Sequence, residues 1–295
     1  MNALSGMTGF ARVSGEADWG SWAWEAKSVN GRGLDVRVNY PPGFEVLDRA
    51  IKSAAPKYFQ RGSLQVSLRI DLAGGGDAAT INSSLLNALA SAVEKRTGAA
   101  LSGEVFASLL NVKGVVEPGG SSLRDLGTDE AVTGMLAKAG EEALDGLRTE
   151  RLREGAMLGE LLGGLVTGME ELRAKAGQLA ETQPGLVKER LTKQLDELDP
   201  DGRVDRERMA AEIALSAAKA DVREELDRLT AHFATARELL AGGSPVGRKI
   251  DFLSQELNRE ANTLCSKSVC LDLTNAGLGL KGLIDQFKEQ AANVE

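Results

Sequence analysis

The segment from Gly247 to Ser268 reads GRKIDFLSQELNREANTLCSKS, and it predicts how the C-terminal part of the chain is built. Wound as an α-helix at about 100° per residue, the segment gathers its aliphatic side chains on one face. This apolar stripe consists of Ile250, Leu253, Leu257, Ala261 and Leu264. Because the stripe runs the whole length of the helix, we expect the helix to pack against neighbours from end to end.

Polar side chains line both flanks of the stripe. One flank carries Glu256, Glu260, Thr263 and Lys267, and the other carries Asp251, Gln255, Asn258, Asn262 and Ser266. Two carboxylates one turn apart, such as Glu256 and Glu260, repel each other unless a cation lies between them. Asn, Ser and Thr are poor helix formers, so their frequency here indicates specific polar contacts. The alternative is an ordinary solvated helix face.

The composition restricts the class of protein. The chain has 295 residues, of which 42% are hydrophobic, enough for one large or two ordinary domains. Its formal net charge of −8 excludes a generally basic nucleic-acid surface, so any phosphate site must be local, metal-assisted or built by several subunits. Two cysteines are too few for a disulfide framework or a zinc site. Without a signal peptide or a long apolar run, the sequence predicts a cytoplasmic protein with no membrane partner.

The N-terminal part, residues 1–73, predicts a small α+β domain. Strand-like stretches occupy 7–12, 22–29, 34–40 and 64–72. The Asn30-Gly31 step between the second and third stretches is a hairpin signal, so we expect a small antiparallel sheet. Residues 44–59 show the three- and four-residue spacing of a helix.

Residues 74–127 predict a linker with short helices. Ala73–Asp77 contains three consecutive glycines without the Gly-Lys-Ser or Gly-Lys-Thr of a phosphate loop, which favours a hinge or turn. Asn82 and Ser102 are predicted helix caps. The stretch 115–127 is rich in Gly and Ser and is predicted to be mobile.

The remainder is predicted to be mostly α-helical, with long antiparallel helices, which completes an α+β fold class. Residues 128–204 form a long helical arm, with a turn at 199–202, and residues 205–295 form a C-terminal helical domain of catalytic type. Asp205 caps a helix that can run to Leu240. The short loop 242–245 then leads into the segment quoted above, so these two helices should pack antiparallel.

The helix that ends near Leu240 carries a second charged face. This face holds Asp221, Glu224, Glu225, Arg228 and His232, the last being the only histidine in the chain. A lone histidine beside carboxylates is more often structural than functional. Its neighbours at three, four and seven residues are nevertheless those of a catalytic or metal site.

Several blocks of the sequence resemble the YicC-like endoribonuclease family (YicC/YloC type). In the C-terminal half these are DVREELDRL from Asp221 to Leu229 with His232, the segment from Gly247 to Ser268, and then Asp272 and Lys281. In the N-terminal half they are Met7 to Arg12, Ser28 to Arg32, Leu34-Asp35, Pro41 and Arg61-Gly62. Residues 75–215 match the family mainly in helical character and length.

The resemblance implies a cytoplasmic bacterial RNase that cuts RNA internally, a hydrolase acting on phosphodiester bonds. It also implies dependence on a divalent metal cation, a ring-like homo-oligomer (a hexamer), and other RNA-decay proteins as further partners. The chain departs from the family pattern at Gly31 and Gly33, where larger or more polar residues are usual, at Ser63, where a basic residue often stands, and at Ala291-Ala292. If these positions contact RNA, affinity or substrate choice differs in this chain.

The acidic rows give a concrete hypothesis for the site. Mg²⁺ and Mn²⁺ prefer carboxylate oxygens, so Glu256 and Glu260 are the first predicted ligands, completed by Asp221, Glu224 and Glu225 if the two helices pack together. His232 is predicted as a general acid or base or as a further ligand, and Lys267 as a catalytic cation that holds phosphate. The predicted RNA-binding residues are Arg32, Arg61, Arg248, Lys249, Asn258, Arg259 and Asn262. Arg228 and Arg259 have an alternative role as ion-pair partners of the same carboxylates.

Two other functions fit the sequence. A non-catalytic RNA-binding or adaptor protein would use the basic residues without metal dependence. An architectural helical oligomer would use neither the basic residues nor the paired carboxylates. The nuclease hypothesis requires that the acidic rows of the two helices converge on a shared cation.

Overall fold

The computed structural model of the chain describes residues 3–73, 79–98, 101–118, 123–198 and 205–295. These residues form a four-stranded sheet followed by a mostly helical region, which confirms the predicted α+β class. The glycine-rich residues 74–77 and the predicted turn at 199–202 lie outside the described residues.

The N-terminal sheet is mixed rather than antiparallel. Its strands are β1 (Gly9–Ala17), β2 (Gly20–Val29), β3 (Leu34–Asn39) and β4 (Gly62–Leu72). Their order is β1-β2-β4-β3, with β3 parallel to β4 and the other two pairs antiparallel. The tight hairpin of this sheet joins β1 to β2, where Ala17 pairs with Gly20.

The hairpin predicted at Asn30-Gly31 is wrong because β4 lies between β2 and β3. The reason is helix α1 (Val46–Ala54), which buries Leu47, Ile51 and Ala54. To bury that face, α1 crosses over the sheet, and a strand that follows such a crossover returns parallel to the strand before it. The loop after β2 instead passes against the start of β4, where a Cβ on Gly31 would come within 2.9 Å of the backbone of Gly62.

A small unit follows the sheet. It contains β5 (Ala79–Ile81), α2 (Ser83–Thr97), α3 (Gly103–Leu110) and β6 (Val116–Pro118). The short helix α4 (Leu123–Thr128) follows and packs Leu126 into the core of the sheet domain. The side chain of Asn82 accepts a hydrogen bond from Leu85 N, and that of Ser102 accepts one from Val105 N. Both predicted helix caps are therefore confirmed.

In the described part of the chain from Glu130 onward, six helices follow. They are α5 (Glu130–Ala180), α6 (Gln183–Leu198), α7 (Arg206–Lys219), α8 (Arg223–Gly242), α9 (Gly247–Lys267) and α10 (Leu271–Ala291). The first half of α5 buries Leu136 and Leu144 against the sheet, and its second half buries Leu162 and Met169 in the core formed with α8, α9 and α10. The sheet and the helical region are thus joined through one continuous helix.

The predicted helix from Asp205 to Leu240 is wrong, because the chain breaks between α7 and α8. At the break, the carbonyl of Ala220 accepts a hydrogen bond from the Gln183 side chain, and the Asp221 carboxylate accepts one from Arg223 N. Side chains that form hydrogen bonds with backbone N–H and C=O groups in this way compete with the backbone hydrogen bonds that would continue the helix. Asp205 does cap α7, through a hydrogen bond from Glu207 N.

The apolar stripe of α9 is buried as predicted, with Ile250, Leu257, Ala261 and Leu264 all fully covered. Helix α9 lies between α8 and α10. Its contacts with α8 join late residues of α9 to early residues of α8, so these two helices are antiparallel, as predicted. No helix in the described part of the chain combines the length and apolarity that a membrane span requires.

Candidate active site

The two polar flanks of α9 face different helices. On one flank, Lys267 Nζ donates to Glu225 Oε1 of α8 at 2.8 Å, and Arg228 Nη1 of α8 lies 3.4 Å from Glu260 Oε1. On the other flank, Asn258 Nδ2 donates to Asp285 Oδ1 of α10 at 3.0 Å. Of the Asn, Ser and Thr side chains for which specific contacts were expected, Asn258 bonds to another helix, whereas Ser254, Thr263 and Ser266 donate to carbonyls of α9 itself. The acidic flank faces α8. The "α8–α9 groove" is the surface along the line where α8 meets α9, and it carries Glu225, Arg228, His232, Glu256, Glu260 and Lys267.

Two carboxylates of the groove are buried. Glu225 and Glu260 are each only 4% exposed. A buried carboxylate requires a cationic or hydrogen-bonding partner, and Lys267 and Arg228 provide these partners. Glu225 Oε2 is buried and has no hydrogen-bond partner among the described residues, so this oxygen retains the capacity to accept a proton or a hydrogen bond.

His232 is half-buried and lies on the groove side of α8. It follows Glu225 by two turns and Arg228 by one, so the three side chains share a face. Since α8 and α9 are antiparallel and Arg228 contacts Glu260, the next turn of α8 brings His232 about level with Glu256. From this helix register we infer that the histidine lies on the side of α8 that faces the acidic row of α9.

The five predicted metal ligands are not gathered into one shell. Each is paired with a cation: Asp221 with Arg223, Glu224 and Glu260 with Arg228, Glu225 with Lys267, and Glu256 with Arg259. Among the residues that the structure describes, no three His, Cys, Asp or Glu side chains form a group suited to a metal ion. The described donor set of one chain therefore does not fit a metal site, because side-chain cations already neutralise the carboxylates.

Asp221 lies one residue ahead of Val222, the N-cap of α8, and its carboxylate accepts hydrogen bonds from the backbone and side chain of Arg223, a role that the sequence analysis did not assign to it. Hydrogen bonds from the Arg223 side chain and backbone, with the charges of Arg223 and Lys267, lower the pKa of Asp221 to about 2. An Asp at the start of a helix is a common capping signal, and it could have located the break.

The contacts between Asp221 and Arg223 predict a pH dependence of stability. A carboxyl whose pKa is lowered on folding stabilises the fold above its unfolded pKa, and this contribution is lost as pH falls from about 4 to about 2. Because the side chain is 38% exposed, solvent screening limits the contribution to about 1 kcal/mol or less. At pH 7 we expect the free energy of unfolding of Asp221→Asn to be lower than that of the wild-type protein by this amount, and near pH 2 we expect the two values to agree. Urea unfolding at both pH values measures the difference. An equal difference between the two proteins at both pH values would contradict the prediction.

A second group of functional candidates lies at the other end of α9. A Cβ on Gly247 would come within 2.9 Å of Arg61 Nη1, and the loop that carries Arg32 lies against Gly62. Arg32, Arg61, Arg248 and Lys249, here called the basic corner, are thus brought together from three segments. Arg32, Arg248 and Lys249 are exposed, and none of these three forms an ion pair with a described residue. Cations at the start of a helix oppose its dipole, so Arg248 and Lys249 do not favour helix stability.

The basic corner is held in place by Arg151 and Glu295. Arg151 is fully buried, and it donates to Gly6 O at 2.7 Å and to Arg61 O at 3.0 Å while pairing with Glu295 at 3.2 Å. Glu295 Oε1 accepts hydrogen bonds from Gln60 N and Arg61 N. Burial lowers the pKa of Arg151, and the charge of Glu295 opposes that shift. The sequence analysis identified neither residue, because an arginine within a long helix is usually exposed to solvent.

The remaining predicted residues are dispersed. Arg259 is exposed and lies 3.9 Å from Glu256, and Asn262 is exposed on α9. Gly31 and Ser63 both lie at the basic corner, where Gly31 is required by the close approach to Gly62. A Cβ on Gly33 would meet no atom of a described residue within 4 Å, so packing against these residues does not require the glycine there.

The fold and the site together define a class: an α+β protein with an ion-paired groove between antiparallel helices and a separate exposed basic corner suited to an anionic chain. Family comparison identifies that class. Residues 4–160 match the family model "Endoribonuclease YicC-like, N-terminal region", and residues 176–295 match "Endoribonuclease YicC-like, C-terminal". The chain belongs to the YicC-like endoribonuclease family, which confirms the resemblance seen in the sequence.

Two relatives are similar over nearly their full length. A protein of Haemophilus influenzae named "Probable endoribonuclease YicC" is 34% identical over 295 residues, which cover 98% of this chain and 99% of the relative. A protein of the same name from Clostridioides difficile is 29% identical over 300 residues, with 98% and 99% coverage.

Proposed function

We propose that this chain is an endoribonuclease that cleaves RNA internally, with the α8–α9 groove as its catalytic centre. Membership of the family over both halves of the chain supports the activity. The observation that carries the location is the pair of buried carboxylates held against Lys267 and Arg228, beside the chain's only histidine.

The groove residues have distinct chemical roles in this proposal. Lys267 and Arg228 are the cations that hold the phosphodiester, because charge-assisted hydrogen bonds to phosphate are the strong ones. When phosphate replaces Glu225 and Glu260 as their partner, these carboxylates become acceptors for the proton of the attacking hydroxyl. As the bond from phosphorus to the attacking oxygen forms, the bond to the leaving oxygen breaks, and we assign His232 the transfer of a proton to that leaving oxygen.

The family resemblance also implies Mg²⁺ or Mn²⁺, a hexamer, a cytoplasmic location and association with other RNA-decay proteins, and these remain part of the proposal. No step is assigned to the metal, because the described ligands of one chain do not form its shell. Incubation of the purified protein with a labelled structured RNA, with Mn²⁺ or with EDTA, tests activity and metal dependence together. Internal cuts would support an endoribonuclease, and binding without cuts would support an RNA adaptor. If the protein neither cuts nor binds the RNA, the result would support an architectural oligomer.

The basic corner supports RNA binding along α9. A helix rises about 1.5 Å per residue, so Arg248 lies about 28 Å from Lys267. An RNA that contacts both must be long enough to span this distance. Short oligonucleotides should therefore be poor substrates even when they contain a cleavable bond.

The corner gives a prediction about salt. We expect Arg248→Gln with Lys249→Gln to weaken RNA binding and to reduce the slope of log affinity against log salt by about 0.7 per charge removed. Fluorescence anisotropy with a labelled RNA at several salt concentrations measures the slope. Arg49→Gln with Lys138→Gln removes the same charge from exposed positions outside the corner. An equal reduction in this control would show only a net-charge effect and would contradict a local site.

A further inference from the structure

Gln183 is a buried polar residue at the start of α6 that connects two distant parts of the chain. It is only 2% exposed. Its Nε2 donates to Ala220 O at 2.7 Å, and its Oε1 accepts from Val269 N at 2.8 Å. Both ends of the amide are therefore used, one in the break between α7 and α8 and the other in the turn between α9 and α10.

These two backbone segments carry the two sides of the groove. Ala220 directly precedes Asp221 and the first turn of α8, which holds Glu225. Val269 follows Lys267, the last residue of α9, by two positions. The 2.8 Å contact between Lys267 and Glu225 thus lies between two segments that one glutamine holds together.

The surroundings of Gln183 leave few substitutes for it. A cleft of about 860 Å³ opens beside it, lined among others by Arg173, Asp221 and Arg223. Arg173 already donates a hydrogen bond to Leu226 O, and Arg223 already donates one to the Asp221 carboxylate. Without the Gln183 amide, Ala220 O and Val269 N lose the partners that satisfy them, and each unsatisfied buried group is costly.

We propose that Gln183 is a positioning residue that sets the distance between Glu225 and Lys267 for RNA cleavage, an inference that rests on the proposed function. It donates to one side of the groove and accepts from the other, so no purely apolar side chain of its size can replace it. A displacement of about 1 Å at a catalytic group can cost about a hundredfold in rate.

Two variants separate positioning from packing. Gln183→Leu keeps the size of the side chain and removes both hydrogen bonds. Gln183→Glu keeps the acceptor for Val269 N, and it regains a donor for Ala220 O only when its carboxyl is protonated. Gln178→Leu, on the exposed surface of α5, is the matched control.

We expect Gln183→Leu to lower kcat for RNA cleavage by about tenfold to a hundredfold, with KM changed by less than about twofold. The activity of Gln183→Glu relative to wild type should rise as pH falls from 7 to 5. Wild-type kcat in folded Gln183→Leu would overturn the inference while leaving the proposed function intact. If Gln183→Leu does not fold, the relative pH profile of Gln183→Glu decides, and a flat profile would overturn the inference.

Hydrogen exchange provides a readout that does not depend on activity. In Gln183→Leu, or in Gln183→Glu at pH 7 if the former does not fold, peptides that cover residues 219–224 and 266–272 should both exchange faster than in wild type, whereas Gln178→Leu should change neither. Acceleration of only one segment, or of neither, would overturn the inference. The exchange measurement can be made whether or not the wild-type protein cleaves RNA. A wild-type protein that does not cleave RNA would refute the proposed function and not the link that Gln183 forms between the two segments.

Discussion

Replacement of Lys267 with methionine is expected to reduce internal RNA cleavage by about a hundredfold to a thousandfold. Methionine keeps the unbranched apolar stem but removes the charge that pairs with Glu225 and that would hold the phosphate. The variant also leaves Glu225 buried without its cation, so the free energy of unfolding should fall by about 1–3 kcal/mol. Single-turnover cleavage of a labelled RNA measures the first effect, and urea unfolding measures the second.

Lys288→Met is the control for this prediction, because Lys288 is an exposed lysine on α10. It should change neither cleavage nor stability. A folded Lys267→Met protein that cleaves RNA at the wild-type rate would remove Lys267 from the reaction. In that case the Glu225–Lys267 pair would serve only the packing of α8 on α9.

Replacement of Arg151 with methionine is expected to lower the free energy of unfolding by about 3–5 kcal/mol. The side chain extends from α5 and is fully buried, and its guanidinium lies over the ring of Phe59 at 4.9 Å. Its loss leaves Gly6 O and Arg61 O without these donors and leaves Glu295 buried without its cation. Urea unfolding at pH 7 measures the loss, and the salt slope of RNA binding reports whether Arg61 has moved.

A double-mutant cycle isolates the ion pair within this cluster. Glu295→Gln in the Arg151→Met background removes the unpaired charge and should recover part of the stability, since contacting residues are not additive. A loss below about 1 kcal/mol in Arg151→Met would show that the buried cluster contributes little to the fold.

The helices and their faces could be predicted from the sequence because they depend on local spacing. The apolar stripe of α9 and the polar flanks beside it follow from residues three and four apart, whatever the neighbours are. The caps at Asn82 and Ser102 are equally local. For the same reason the antiparallel packing of α8 on α9 followed from a short loop between two long helices.

The strand order could not be predicted in this way, because it depends on contacts between distant residues. Asn30-Gly31 has the local chemistry of a hairpin, but the burial of α1 over the sheet determines where β3 pairs. The break before α8 likewise depends on Gln183, which lies 37 residues earlier in the chain than Ala220.

The candidate site was predicted only in part. Side-chain spacing identified the acidic row of α9 and its histidine neighbour on α8, but it cannot tell whether a metal ion or a side-chain cation neutralises the row. In the structure Lys267 and Arg228 do so within one chain. Arg151 and Glu295 were not predicted because their partners are distant in the sequence, from 90 residues for Arg151 and Arg61 to 235 for Glu295 and Gln60.

The most direct measurement of the central claim uses a variant that removes both charges of the groove pair. In Glu225→Met with Lys267→Met no buried charge is left unpaired, so the protein should unfold at a urea concentration close to that of wild type. We predict that this folded double variant makes no detectable internal cuts in a labelled structured RNA that the wild-type protein cleaves. Cleavage at the wild-type rate would contradict the assignment of the α8–α9 groove as the catalytic centre.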